Sequence, residues 1–578
     1  MPENFESLVE LARLRARRDG DREAFRFLRD ETTETLTCDG IDRAARSIAV
    51  TLRDLLGGTA AGERVLLLYP PGLGFIPALF GCFYAGAVAV PAPVPDANRI
   101  QGLRLAHILA DAAASVVLTD SAGLPLIEES LRAAGVTGVT CVATDGELPG
   151  DAATWTEPVL RRQDLAVLQY TSGSTSDPKG VMVSHGNLLA NCALIQRSLG
   201  SGRQTRFCGW LPFYHDMGLV GAVLHTFFCG GWAVFLSPVT FLKRPLRWLR
   251  AIDEYRADLS VAPNFAYEMC VRKVTDEQVA SLDLDSWTAA MNGSEPISAE
   301  TLAAFADRFA PAGFAAEAVY PCYGMAETTL FVTGDRRDRR HVVRRVDADA
   351  LERGELADGH SRTLVSSGIV TGIEVVVTDP KTAEVLPDGR IGELWIRGDS
   401  VALGYWGRPE ESERRFRATT ADGDRGYLRS GDLGTIVDGE LYVTGRIKEM
   451  LIVHGRNVYP YDIERAVRAA HPALGGGVGA AFALGDDVVI AHEVRGVTAE
   501  ADLRALAGAL RQLTARDFGV RVAAVALVRP GQIPRTTSGK VQRLLAAEKF
   551  RAGAFETVHE DLDAAVRRAF RPDTVPAA

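Results

Sequence analysis

The stretch Tyr170-Thr-Ser-Gly-Ser-Thr-Ser-Asp-Pro-Lys-Gly-Val181 places four hydroxyl side chains around one glycine, in Thr171, Ser172, Gly173, Ser174 and Thr175. It follows directly on the apolar run Leu165-Ala-Val-Leu168. A strand opening into such a loop offers backbone N–H groups and hydroxyl donors to the oxygens of a phosphate chain. Pro178 fixes a turn, and Lys179 adds one mobile cation. The pattern is not the Gly-x-x-x-x-Gly-Lys-Ser/Thr loop of the common nucleoside triphosphatases, because here the lysine precedes glycine and valine. A kinase or motor of that class is therefore excluded.

Further chemistry-bearing groups follow in order. Trp210-Leu-Pro-Phe-Tyr-His-Asp-Met-Gly-Leu219 sets His215 ahead of an apolar helix, a place for either a pocket mouth or a core histidine. Met291-Asn-Gly-Ser-Glu-Pro-Ile297 and Tyr320-Pro-Cys-Tyr-Gly-Met-Ala-Glu-Thr328 each end an apolar segment on a glycine and an acid. Open α/β sheets present their ligand sites at such ends. Ser430-Gly-Asp-Leu-Gly434, Gly445-Arg-Ile-Lys-Glu449 and Thr536-Thr-Ser-Gly-Lys540 complete the series. Only seven of the 64 basic residues are lysines, and three of them, Lys179, Lys448 and Lys540, sit in these glycine-containing motifs. A slim, mobile ammonium is what such positions select over a guanidinium.

The elements that must hold these groups read as α/β. Helices at 41–56, 76–85, 188–199 and 245–255 alternate with short apolar strands at 64–69, 87–90, 114–118, 139–142 and 233–236. That spacing predicts parallel sheets with helices on their faces. From about 365 to 447 short strands between turn signals predict a small β-rich subdomain, and from 448 an α+β module follows, with helices at 460–470 and 501–518. The division expected is a large domain, 1–447, and a small one, 448–578. The arginine- and acid-rich stretch 334–364 reads as a solvated insertion, its own carboxylates competing for its arginines.

At 578 residues the chain exceeds one core. A net charge of −10 argues against a nucleic-acid partner. Eight scattered cysteines without a Cys-x-x-Cys point to thiols in a reducing compartment. No signal segment or spanning helix is evident, so the expected location is cytoplasmic, with no membrane span.

In this order the motifs resemble the AMP-forming acyl-adenylate superfamily of acyl-CoA synthetases, luciferases and peptide-synthetase adenylation domains. The resemblance runs from about Arg22 to Arg551. It is narrower to the fatty acyl-AMP ligases that feed polyketide and lipopeptide synthases. Three features carry that: Leu168-Gln-Tyr-Thr-Ser-Gly-Ser-Thr175, Gly455-Arg-Asn-Val-Tyr-Pro-Tyr-Asp-Ile-Glu464, and the extra segment after Thr328.

The resemblance implies ATP and Mg²⁺ as cofactors, a fatty acid as substrate, and an acyl carrier protein acting in trans. Thr171 to Thr175 and Lys179 would hold the phosphates, with Glu327 and the Thr171 hydroxyl on Mg²⁺. Gly293, Ser294, Glu295 and Tyr323 would line the adenine slot, with Gly324, Met325 and Ala326 beside it. Asp432 would accept the ribose hydroxyls, Arg446 would stay near ribose and phosphate, and Lys540 would bridge the carboxylate and the α-phosphate. Lys448 would be the hinge of a mobile small domain. The acyl wall expected is the segment 248–270, with Val261, Pro263, Asn264 and Phe265, and His215 at its mouth. Ser176-Asp177 replaces the more usual glycine-containing pair of the loop, and residues 552–578 have no counterpart. Two other readings are a fatty acyl-CoA synthetase of the same fold and an inactive nucleotide-binding scaffold.

Overall fold

The structure is a computed structural model that describes residues 5–95, 99–171, 178–337, 339–453, 456–485, 487–536 and 539–571. Two α/β sheets form the first part of the chain. The larger runs Phe331–Gly334, Val319–Gly324, Ala289–Asn292, Leu259–Ala262, Arg206–Gly209, Trp232–Phe235, Glu23–Leu28, Thr33–Thr37. The smaller runs Thr140–Ala143, Val116–Thr119, Arg64–Leu67, Val88–Pro91, Leu165–Thr171, Lys179–Ser184.

Central strands such as Val88–Pro91 and Leu259–Ala262 are buried along their whole length. Uninterrupted apolar runs are what a parallel sheet covered on both faces requires. The edges depart from the expected parallel order. Thr33–Thr37, Phe331–Gly334 and Lys179–Ser184 each pair antiparallel with the preceding strand. The chain between each pair is too short for a crossover, which takes a dozen or more residues, so only a hairpin closes. The two strands that flank the hydroxyl-rich stretch thus pair antiparallel, their last registered pair being Thr171 with Lys179.

The β-rich part is an antiparallel sheet, Glu374–Thr378, Gly392–Arg397, Arg425–Val437 and Ala418–Thr419, with Glu440–Arg446 on Arg425–Val437. The register sets Asp432 opposite Arg446. Within the insertion, Val343–Val346 pairs antiparallel with Arg362–Val365, and a short helix, Ala348–Glu352, starts from an Asp347 cap. Its outer arginines do meet acids, Arg344 with Asp358 at 2.8 Å and Arg340 with Glu317 at 2.8 Å. Its inner side is not solvated, however. Val346, Leu351 and Leu364 form a buried cluster with Tyr442 and Tyr459.

The last module is a four-stranded sheet, Gly479–Leu484, Asp487–Glu493, Val522–Val528, Thr557–Leu562, with one parallel pair at its centre. Helices Pro460–Ala469 and Glu500–Phe518 cover one face; Arg543–Arg551 and Ala564–Phe570 cover the other. The sheet and its last helix therefore absorb much of the tail after residue 552. No helix among the described residues is long and apolar enough to cross a membrane.

Candidate active site

A cavity of about 290 Å³ opens where the strand ends of the large sheet, the β-rich sheet and the last module meet. Each contributor has a local reason to be there. Met291 to Ser294 and Tyr323 to Glu327 follow the C-terminal ends of adjacent parallel strands, and both backbones are strained there. Ser294 has φ +76° and Thr329 has φ +70°, values that non-glycine residues hold only where the surroundings enforce them. The Thr329 hydroxyl donates to the Ser400 carbonyl at 2.7 Å, which enforces one. The Ser294 hydroxyl is buried and finds no acceptor among the described residues.

Asp432 is the most fully tied acid of the cavity. The Tyr323 hydroxyl donates to its Oδ2 at 2.7 Å, and Arg446 Nε donates to its Oδ1 at 2.9 Å. The Asp432 charge raises the Arg446 pKa further, and burial raises that of the Tyr323 hydroxyl. Glu327 accepts the Tyr405 hydroxyl at 2.7 Å, and Arg415 stands 3.8 Å away. Both reach Oε1, so Oε2 is the oxygen available to a cation.

Lys179 lines the cavity with its ammonium paired to Glu411 and 5.3 Å from the centre of the Tyr405 ring. Lys448 and Thr536 also line it.

Lys540 enters from the last module. A tight turn carries it: Thr536 N–H donates to the Lys540 carbonyl at 2.8 Å, and Gly539 at φ +89° makes a bend that a side chain would oppose. Asp216, Glu295, Asp432 and the cation of Arg446 all act electrostatically on the Lys540 ammonium. Burial, then Arg446, pull its pKa below the ordinary lysine value against those three acids. Burial alone would push the Asp216 carboxyl up. His215 Nδ1, 2.6 Å away, and Lys540 together hold it below its ordinary value.

Among the residues expected from the sequence, the cavity is lined by Lys179, His215, Val261, Gly293, Ser294, Tyr323, Gly324, Met325, Ala326, Glu327, Asp432, Arg446, Lys448 and Lys540. Ser172 to Thr175 lie outside the described residues, and Thr171 is described only as the last residue of its strand. Glu295 does not line the cavity. Its carboxylate accepts the Phe265 N–H at 2.6 Å, and burial raises its pKa to about 7.

Pro263, Asn264 and Phe265 do not line it either. Asn264 is buried, its side-chain oxygen accepting the Ser298 N–H at 3.1 Å, and Trp248 is fully buried against Tyr267 and Trp287. Most of segment 248–270 is therefore core. Of the expected wall Val261 alone lines the cavity, and it is joined by Ile108, Ile195, Met217, Gly221, Leu330 and Phe331. Met217 to Leu224 form one π-helical stretch, and a Cβ on Gly221 would sit 3.0 Å from Leu330 Cδ2. Such wide turns recur at functional sites.

Four groups were not expected: Asp216, Tyr405, Glu411 and Arg415. Asp216 stood next to His215 and carried a visible signal. Glu411 and Arg415 are four apart on the helix Pro409–Phe416, a spacing that reads as a surface ion pair until the fold turns it inward.

Comparison with known proteins places the chain in a family. Residues 12–406 match the AMP-binding enzyme family, and residues 448–560 match the AMP domain described as Disco-interacting protein 2-like. The chain is 39% identical to the medium-chain-fatty-acid–[acyl-carrier-protein] ligase JamA of Moorena producens, over 96% of both chains. It is 36% identical to the 4-hydroxyphenylalkanoate adenylyltransferase of Mycobacterium tuberculosis, over 94% of this chain and 91% of the other. Its fold resembles the crystal structure of fatty acid AMP ligase from Legionella pneumophila at TM-score 0.75 and 35% identity, covering 97% and 98% of the two chains. A structure of fatty acyl-adenylate ligase from Legionella pneumophila in complex with acyl adenylate and pyrophosphate matches equally. The chain belongs to the AMP-binding enzymes, on the fatty acyl-AMP ligase branch.

Proposed function

We propose that this chain activates a fatty acid with ATP, releasing pyrophosphate, and passes the acyl group to an acyl carrier protein supplied in trans. The observation that carries this is Lys540: a cation from the last module stands in one cavity with Asp432, Glu327 and an apolar wall. Residues 448–578 would act as the moving domain against 1–447, with Lys448 at the hinge, in the cytoplasm.

The fatty carboxylate attacks the α-phosphorus; the new O–P bond forms as the bond to pyrophosphate breaks. Two anions must meet, and their repulsion is offset by fixed positive charge placed where charge develops. Lys540, from the last module, and Arg446, from the β-rich sheet, would supply it. Asp432 is set to accept ribose hydroxyls, and Ser294, with its unpartnered hydroxyl, sits at the proposed adenine slot. The apolar wall takes the chain, each buried methylene contributing about 0.8 kcal/mol.

Glu327 fits Mg²⁺, which takes one or two carboxylates together with substrate phosphates, and Thr171 is the second candidate ligand. When bound, the ion would neutralise phosphate charge. In the second half, a phosphopantetheine sulfur attacks the acyl carbonyl, a C–S bond forms, AMP leaves with the C–O bond pair, and the thiol proton goes to solvent.

The rival acyl-CoA synthetase is distinguished by product. Mass spectrometry of reactions with ATP, a panel of fatty acids, and CoA or holo carrier proteins should show acyl-AMP and acyl-carrier. Abundant acyl-CoA without carrier loading would overturn the reading.

A further inference from the structure

The chain is acidic as a whole, at net charge −10, but one face gathers five basic side chains. It is built by the helices Pro238–Lys243 and Leu246–Glu254 and the end of Asn264–Lys273. Arg247 and Arg250 lie one turn apart, with Glu254 a turn further on, Arg244 caps the end of the preceding helix, and Trp248, Leu249, Ala251 and Ile252 bury the opposite side. Lys273 donates to the Leu242 carbonyl at 3.3 Å, which draws the third helix alongside and brings Lys243 and Lys273 onto the same face.

Among the described residues none of these five cations meets a carboxylate. Arg247 donates to the Arg29 carbonyl and Lys273 to that of Leu242. Between them stand two bare aliphatic side chains, Val239 at 53% and Leu242 at 44% exposure. Together they give the face a basic and partly apolar character that complements an acidic partner.

The underside of this shelf leads to the active site. Phe241, buried, stacks on Trp210 at 4.0 Å and 9°. Trp210 meets the edge of Phe265 at 6.1 Å, and the Phe265 ring lies 3.2 Å from where a Cβ on Gly539 would be, next to Lys540. At its border Arg272 donates to the Gly475 carbonyl of the last module at 3.4 Å, and Arg468 of that module pairs with Glu268. Rotation of the small domain would break these two contacts and leave the shelf beside an opened cleft.

We propose that this shelf docks the carrier protein, its cations facing acidic residues on a carrier helix and Val239 with Leu242 meeting apolar residues between those acids. The proposal rests on the carrier reading above. Charge complementarity fixes the choice of partner, since steering by unpaired cations favours an acidic protein and is screened by salt.

The test is the triple charge reversal Lys243→Glu, Arg244→Glu, Arg250→Glu, all at exposed positions outside the cavity. Wild type and variant are compared on pyrophosphate release, on transfer to free pantetheine, and on transfer to the purified holo carrier that the wild type loads fastest from a panel. Pyrophosphate release and pantetheine transfer should stay within about twofold, while kcat/KM for the carrier falls at least about tenfold, chiefly through KM. Reversing acids of the carrier's helix to lysine should restore part of that loss, and added salt should slow the wild type alone.

Transfer to the carrier at the wild-type rate would overturn the proposal, as would an equal loss with pantetheine. Sedimentation of the wild type, but not the variant, with phosphatidylglycerol vesicles, while carrier transfer is unchanged, would assign the shelf to a membrane surface instead. Failure of the wild type to load any carrier would sink the carrier reading itself, and docking with it.

Discussion

Glu295 illustrates how a side chain acquires its role only from the folded neighbourhood. Its motif placed it beside the nucleotide, yet its carboxylate turns to the start of the helix Asn264–Lys273, among Glu268, Arg468, Tyr461 and Lys540. Burial raises its pKa from the ordinary 4.5 to about 7. A carboxyl shifted upward takes up a proton on folding between those two values. Its contribution is therefore fully present below about 4.5, lost as pH rises to about 7, and constant above. Glu295→Gln should gain melting temperature relative to wild type, by roughly 1–2 °C more at pH 8 than at pH 5. An identical gap at both pH values would show that this carboxyl does not titrate as described.

At the same scale, Lys540, Glu327 and Asp432 were legible because each sits in a short glycine-containing motif that has no structural reason to carry a charge. Tyr405 and Arg415 were not, since their contact with Glu327 exists only after residues 78 and 88 positions apart are brought together.

Between elements, the alternation of helices and strands made the two α/β sheets readable nearly to their ends. The antiparallel edges were not readable from periodicity, which is the same for either direction of a strand; connection length decided them. The insertion misled for a different reason. Its charges are outside, where they dominate the sequence, while the few apolar residues of its inner side count only once packed against Tyr442 and Tyr459. That inner side also reaches the last module. Arg362 pairs with Asp462 at 3.1 Å and lies 4.4 Å from the centre of the Tyr459 ring, and Arg456 pairs with Glu352 at 2.6 Å.

In the proposed reading, where residues 448–578 move, these contacts would hold the last module in its present orientation. Arg362→Ala removes a half-buried pair, and weakening the present orientation by about 1–2 kcal/mol shifts its population roughly tenfold. Faster proteolysis near the hinge and a several-fold rise in acyl-CoA formed are expected. A digestion pattern and product ratio like those of wild type would show that the insertion does not restrain the domain.

For the molecule as a whole, the fold separates two tasks. The α/β part of the fold supplies the apolar wall and Glu327, the β-rich sheet holds Asp432, and the last module, with cores of its own, brings Lys540 to them. A reaction between two anions is feasible only when both parts contribute their cations to one cleft. The most direct measurement is fatty-acid-dependent exchange of pyrophosphate into ATP, with nucleotide binding followed in parallel. The wild type should exchange only when a fatty acid is present, and Lys540→Ala should lose about 10²–10³-fold or more while binding ATP nearly as well. Exchange by Lys540→Ala at the wild-type rate, or a wild type that never exchanges with any fatty acid, would contradict the account.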